Sequence, residues 1–299
     1  MRKRLGSGLG AVSLLLAAAS GVLCAQTASS PQELVRKTVW NEVKSANDTS
    51  DAEFMFRSRK QGPQDSQTRI FVETRDATAG LVIAVNDKPL TPEQQRTEEE
   101  RVARFVNDPS ELRKKRKQEK EDADRTLQMV KALPDALLFE ADGTETGTQG
   151  VGKPGDELVR LKFRPNPKYS PPTHTEQVLT GMQGIVLIDA NQHRIAKIDG
   201  TLFKDVGFGW GILGHLDKGG HFLVVQGDVC NGHWDVTHMS LSFTGKVLFF
   251  HNLRIQSDEV FSDYRPVAKN LTFAQGVELL KKQESELAEN RQQNGGGEK

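Results

Sequence analysis

After Pro134 the chain reads as one strand after another, with no helix between them. Val159, Leu161 and Phe163 alternate with polar residues. Met182 to Asp189, Arg194 to Phe203, Phe222 to Val229, Asp235 to Phe243, Lys246 to Ile255 and Glu259 to Tyr264 follow, each with period-two character. Turn residues separate them: Asp189-Ala190-Asn191, Asp217-Lys218-Gly219-Gly220, Asn231-Gly232 and Thr244-Gly245. Connections this short join antiparallel neighbours, because a parallel pair needs a long crossover. A doubly wound parallel sheet is therefore excluded.

The first third adds helices and three more strands. Ser30 before Pro31 is a helix start, and Leu34, Val35, Thr38 and Val39 form an apolar stripe through Ala46. Strands centre on Phe54 and Phe56, Ile70 and Val72, and Leu81, Ile83 and Val85. Thr91-Pro92 opens a helix. Asp108-Pro109-Ser110-Glu111 opens another, with a capping-box spacing. The segment 91–133 is charged, and its Lys114-Lys115-Arg116-Lys117 run is answered at once by Glu119, Glu121, Asp122 and Asp124. This predicts a solvated helix laced by pairs three and four residues apart, not a basic ligand patch. Thr272 to Leu287 predicts a last helix, and 291–299 a disordered tail. Ten strands in one sheet curl. The expected fold class is α+β: a large curved antiparallel sheet, a half-barrel, with helices covering its concave face. Residues 26–290 are expected to form one domain.

The start of the chain speaks to compartment. Arg2, Lys3 and Arg4 precede an apolar run from Leu9 to Leu23 that ends at Ala25. That order is a secretory signal, too short and Ala-rich to span a membrane. Residues 1–25 are expected to be removed, giving a periplasmic or secreted protein. Val22 and Leu23 suit lipid attachment at Cys24 poorly. With Cys24 removed, Cys230 stands alone and no intramolecular disulfide can form. The balanced charge, 40 basic and 40 acidic residues, gives no reason to expect nucleic acid.

Chemical motifs are sparse. Gly209-Trp210-Gly211-Ile212-Leu213-Gly214 spells a dinucleotide fingerprint, but Gly219-Gly220 and a strand follow where a helix is required. Of the potential metal ligands around the seven histidines, His221, Asp228, Cys230, His233, Asp235 and His238 are the densest group, without a dedicated zinc spacing. No nucleophile elbow is present, and Ser240 and Ser242 fall inside a strand pattern. No cofactor or metal is called for. What recurs is one apolar side per strand. Val186, Ile188, Ile195, Ile198, Leu202, Phe222 and Phe249 are the expected wall of a hydrophobic cavity, with Trp210 and Leu213 near its mouth. A filled core would use the same residues.

Gly184-Ile185-Val186-Leu187-Ile188-Asp189 and Arg194-Ile195-Ala196-Lys197-Ile198-Asp199-Gly200 resemble the repeated hairpin of the LolA-like lipoprotein-carrier superfamily. Phe261-Ser262-Asp263-Tyr264-Arg265 resembles the last strand of outer-membrane lipoprotein-sorting-like proteins. The resemblance spans roughly Pro31 to Arg265. It implies an incurved half-barrel that holds acyl chains under helices, without catalytic groups. The charged helices are longer than that family implies, and the final helix is additional. The expected function is a carrier or chaperone for a hydrophobic ligand or a lipoprotein acyl chain. The alternatives are a secreted hydrolase with a histidine site, and a structural envelope protein that meets a partner through the charged helices.

Overall fold

The computed structural model describes residues 30–48, 52–208, 214–247 and 251–295, with side chains described through 290. The segment 1–25, Trp210, Leu213 and Phe249 lie outside the described residues, as does the Gly209–Gly214 motif apart from Gly214.

Helix α1 is Pro31–Ala46, capped reciprocally by Ser30 and Glu33. Strands β1 (Glu53–Gln61), β2 (Ser66–Val72), β3 (Ala79–Val85) and the short β4 (Lys88–Pro89) follow. Helices α2 (Pro92–Asn107) and α3 (Pro109–Ala136) lead to β5 (Leu137–Thr146) and β6 (Glu157–Pro165). A short helix α4 (His174–Gln177) and a 3-10 turn (Val178–Gly181) precede β7 (Met182–Asp189) and β8 (Arg194–Leu202). Then come β9 (Val206–Phe208), β10 (Gly214–Leu216), β11 (His221–Cys230), β12 (His233–Val247), β13 (His251–Val267) and α5 (Phe273–Gly295).

The fold is α+β. One antiparallel, unclosed sheet runs β4–β3–β2–β1–β13–β12–β11–β8–β7–β6–β5, with the β9–β10 hairpin attached to β12. Its curvature follows from α3. Glu119 of α3 accepts the Thr78 amide beside β3, and α3 delivers the chain into β5 at the opposite edge. From Glu119 to the end of α3 is roughly 26 Å of helix. The nine strand steps from β3 to β5 would span roughly 43 Å if flat. The sheet must bend to bring its edges together.

Opposed residues in an antiparallel pair share a face, which sorts the helices. The registers Val186↔Ile198, Ile198↔Val224, Val224↔Met239, Met239↔Glu259 and Glu259↔Lys60 carry one face from β7 to β1. Val35, Val39 and the C-terminal half of α3 pack on that face over β5 to β8. Met55, Ile70, Val72 and Leu81 point the other way on β1 to β3, and there Val102 of α2 and Phe273, Val277 and Leu280 of α5 cover them. The cavity therefore sits under α1 and α3 alone. Helix α2 also protects the sheet edge. Glu98 accepts the Val82 amide and Arg101 donates to the Gly80 carbonyl, both at 2.7 Å, satisfying a strand edge that is otherwise open.

The charged helix is laced as expected: Lys114–Glu111, Lys115–Glu119 and Lys120–Asp124 at 2.6–2.7 Å. Several expectations need correction. Lys246 to Ile255 is not one strand: β12 ends at Val247, and β13 runs His251–Val267 through the expected Glu259–Tyr264 strand. Asp108 caps α3 through the Ser110 amide, while Glu111 pairs with Lys114 instead of closing a capping box. Thr244-Gly245 is no turn; it lies within β12, where Gly245 faces Leu216 of β10. A Cβ there would sit 2.1 Å from the His215 carbonyl oxygen, so this glycine permits backbone approach. The Gly- and Thr-rich run from Asp142 to Gly155 reads as a loop, yet β5 continues through Thr146. Helix α5 continues through Gly295, beyond Leu287.

A candidate ligand cavity between sheet and helices

Under α1 and α3 lies a cavity of about 270 Å3. Helix α1 places Val35, Val39 and, one turn further on, Glu42 against it, because positions three and four apart share a helix face. Helix α3 adds Met129, Val130 and Leu133. The sheet supplies Val186 and Ile188 of β7, Ile195 and Ile198 of β8, and Phe222 and Val224 of β11. Of the nine expected residues, Val186, Ile188, Ile195, Ile198 and Phe222 come together on its wall. Leu202 is fully buried in the adjoining core and does not line it. An apolar cavity of about 150 Å3 stays dry and admits a small apolar ligand; this one is larger.

Two glycines stand behind the Phe222 part of the wall. Gly184 and Gly200 oppose each other, and the Phe222 ring lies over Gly200. The roof is pinned at one end. Asn41 donates to the Gln192 and His193 carbonyls at 3.1 and 3.2 Å. Glu42 accepts from the Ile195 amide at 2.7 Å and from Arg194 Nε at 3.1 Å. Arg194 in turn covers the Trp234 ring at 5.5 Å. The polar members of the lining, Thr38, Glu42, Thr126 and Gln226, escaped the sequence reading. Thr38 reads as part of the Leu34–Val39 apolar stripe and not as a polar lining group, and Glu42 continues that stripe at helical spacing, which is the signal that would have found it.

A polar pocket of about 700 Å3 shares Glu42 and Gln226 with the cavity and adds Glu53, Glu73, His233, Trp234 and Asp235. Burial pushes the Glu73 carboxyl up to about 6; Asp235 and Glu53 add to this, and the Phe54 amide and His233 oppose it. The folded value lies above the ordinary one of 4.5. Relative to neutral pH, this group therefore favours folding as pH falls through about 6 toward 4.5, and costs on the order of 1–2 kcal/mol above that window. Glu73→Gln keeps an acceptor for the Phe54 amide. Its melting temperature should exceed the parent's at pH 8, with the gap closing near pH 4.5. A variant less stable than the parent at pH 8 contradicts this.

The three histidines of the His221–His238 group each face an aspartate. His221–Asp199 and His238–Asp258 are each 2.9 Å apart, and His233–Asp235 is 3.9 Å. His221 and His238 sit on the sheet face opposite the cavity, by the alternation of β11 and β12. Among the described residues, no serine or cysteine hydrogen-bonds to either ring. Among the described residues, no group of three or more His, Cys, Asp or Glu has a metal-holding arrangement.

No family model matches the chain, and a search of curated proteins finds no match. Among solved structures, a similarity is found to a DUF1329 family protein from Desulfovibrio piger ATCC 29098. It is 10% identical, covers 82% of this chain and 97% of that chain, and has a TM-score of 0.27. At that score the likeness carries no argument.

Proposed function

We propose that this protein is an exported carrier or chaperone that holds a hydrophobic ligand, such as a lipid or a lipoprotein acyl chain, between its sheet and helices. The observation that carries the reading is the unfilled apolar cavity of about 270 Å3. A filled core would favour the structural-protein reading. A histidine, a carboxylate and a nucleophile gathered in a cleft would favour the hydrolase. The LolA-like hairpin residues and the basic-apolar start of the chain support a cell-envelope setting. No cofactor enters this function.

The driving force is burial. Ten methylenes taken from water contribute roughly 8 kcal/mol. Association costs at least about 4 kcal/mol, so the tail alone leaves affinity near the millimolar range. Native mass spectrometry of protein purified from its own envelope should show one lipid-sized adduct per chain. A bare mass beginning near Gln26, under conditions that preserve known lipid complexes, counts against the reading.

A further inference from the structure

A carrier of plain hydrocarbon has no use for polar groups in its wall, yet this cavity has them at one end. Thr38 is 0% exposed and lines the cavity, and its hydroxyl has no hydrogen-bond partner in the protein. A helical threonine usually returns its hydroxyl to a carbonyl of the preceding turn; this one does not. Leaving a buried hydroxyl unmatched is costly. One turn on, Arg194 Nε and the Ile195 amide both donate to Glu42 Oε1, and among the described residues no hydrogen bond to Oε2 is found.

Beyond Glu42 and Gln226 lies the polar pocket, with five carboxylates, Glu42, Asp48, Glu53, Glu73 and Asp235, against three lysines or arginines. Two of those cations already face acids, Arg194 with Glu42 and Arg75 with Asp76. One buried oxygen of Glu53 accepts nothing. An anionic group would be repelled here; a donor would be held.

We propose that the ligand is a single-chain amphiphile with a hydrogen-bond-donating, non-anionic head. Its tail lies in the apolar cavity and its head at Thr38, Glu42 and Gln226, facing the polar pocket. This rests on the cavity reading and narrows it. Amine and hydroxyl heads satisfy the chemistry; a carboxylate head does not.

The test uses the full mature chain and displacement of N-phenyl-1-naphthylamine by dodecylamine, dodecanol and dodecanoate below their micellar concentrations. The amine and the alcohol should displace the dye at concentrations at least about tenfold lower than the acid. Thr38→Val keeps the shape and removes the hydroxyl. It should weaken the amine and alcohol by about fivefold or more relative to the dye, and leave the melting temperature equal or higher. The head assignment is overturned if dodecanoate competes as well as the other two. It is overturned too if Thr38→Val lowers the melting temperature without moving either affinity, since the hydroxyl is then structural. Failure of the dye itself to bind removes the cavity reading, and the head assignment with it.

Discussion

Gly184→Ala is expected to destabilise the protein by about 3 kcal/mol or more, at the upper end of what overpacking costs. A Cβ at Gly184 would lie 1.9 Å from the Asp199 carbonyl oxygen and 2.8 Å from the Gly200 Cα. Both are backbone atoms of β8, held by the ladder from Met182↔Leu202 to Asp189↔Arg194. No rotamer change relieves the clash; the strands must separate. Gly200→Ala is the informative contrast. Its Cβ would meet the Phe222 ring at 2.3 Å. A ring can tilt, so stability should fall less while the cavity wall is displaced. Urea unfolding of both variants separates the cases. Equal, small losses would show that β7 and β8 yield more readily than their register implies.

Glu42→Ala should cost about 3 kcal/mol, the scale of breaking a buried ion pair from one side. The Glu42 and Arg194 side chains are only 11% and 15% exposed. Removing the carboxylate strands the guanidinium beside Trp234 and leaves the Ile195 amide without its acceptor. It also loosens the end of α1 that roofs the cavity. Glu42→Gln should lose less, because one carbonyl still accepts. Adding Arg194→Met to Glu42→Ala should recover part of the loss, since an apolar replacement of the whole pair is often close to neutral. A single-variant loss under about 1 kcal/mol would place the pair with exposed ones and contradict its role as the pin of the roof.

Local rules made much of this fold legible. Ser30-Pro31, Thr91-Pro92 and Asp108-Pro109 mark the starts of α1, α2 and α3 where they occur. The alternation of Met182–Asp189 marks β7 residue for residue, and Asn231-Gly232 makes its turn with both residues at positive φ. Gly245 misled because a glycine permits either a turn or a close backbone approach, and sequence does not distinguish them. Two longer-range facts were out of reach. β1 pairs with β13 across some two hundred residues, and α2 and α5 take the face opposite to α1. Both depend on sheet order, which local patterning does not encode. The apolar wall could be read from strand alternation. The volume it encloses could not, and neither could the polar end of that volume, because Thr38 and Glu42 look alone like ordinary positions on a helix.

The central claim is that the apolar volume under α1 and α3 is a binding site and not a packing defect. Its most direct test is N-phenyl-1-naphthylamine titration of the mature protein against Val224→Trp. Val224 is half-buried on β11 and lines the cavity, so an indole there fills the volume from a strand position that tolerates it. The parent should bind about one dye per chain. The variant, shown by circular dichroism to be folded and by melting to be at least as stable, should bind none. A folded variant that binds the dye as the parent does, or a parent that binds none, would contradict the claim.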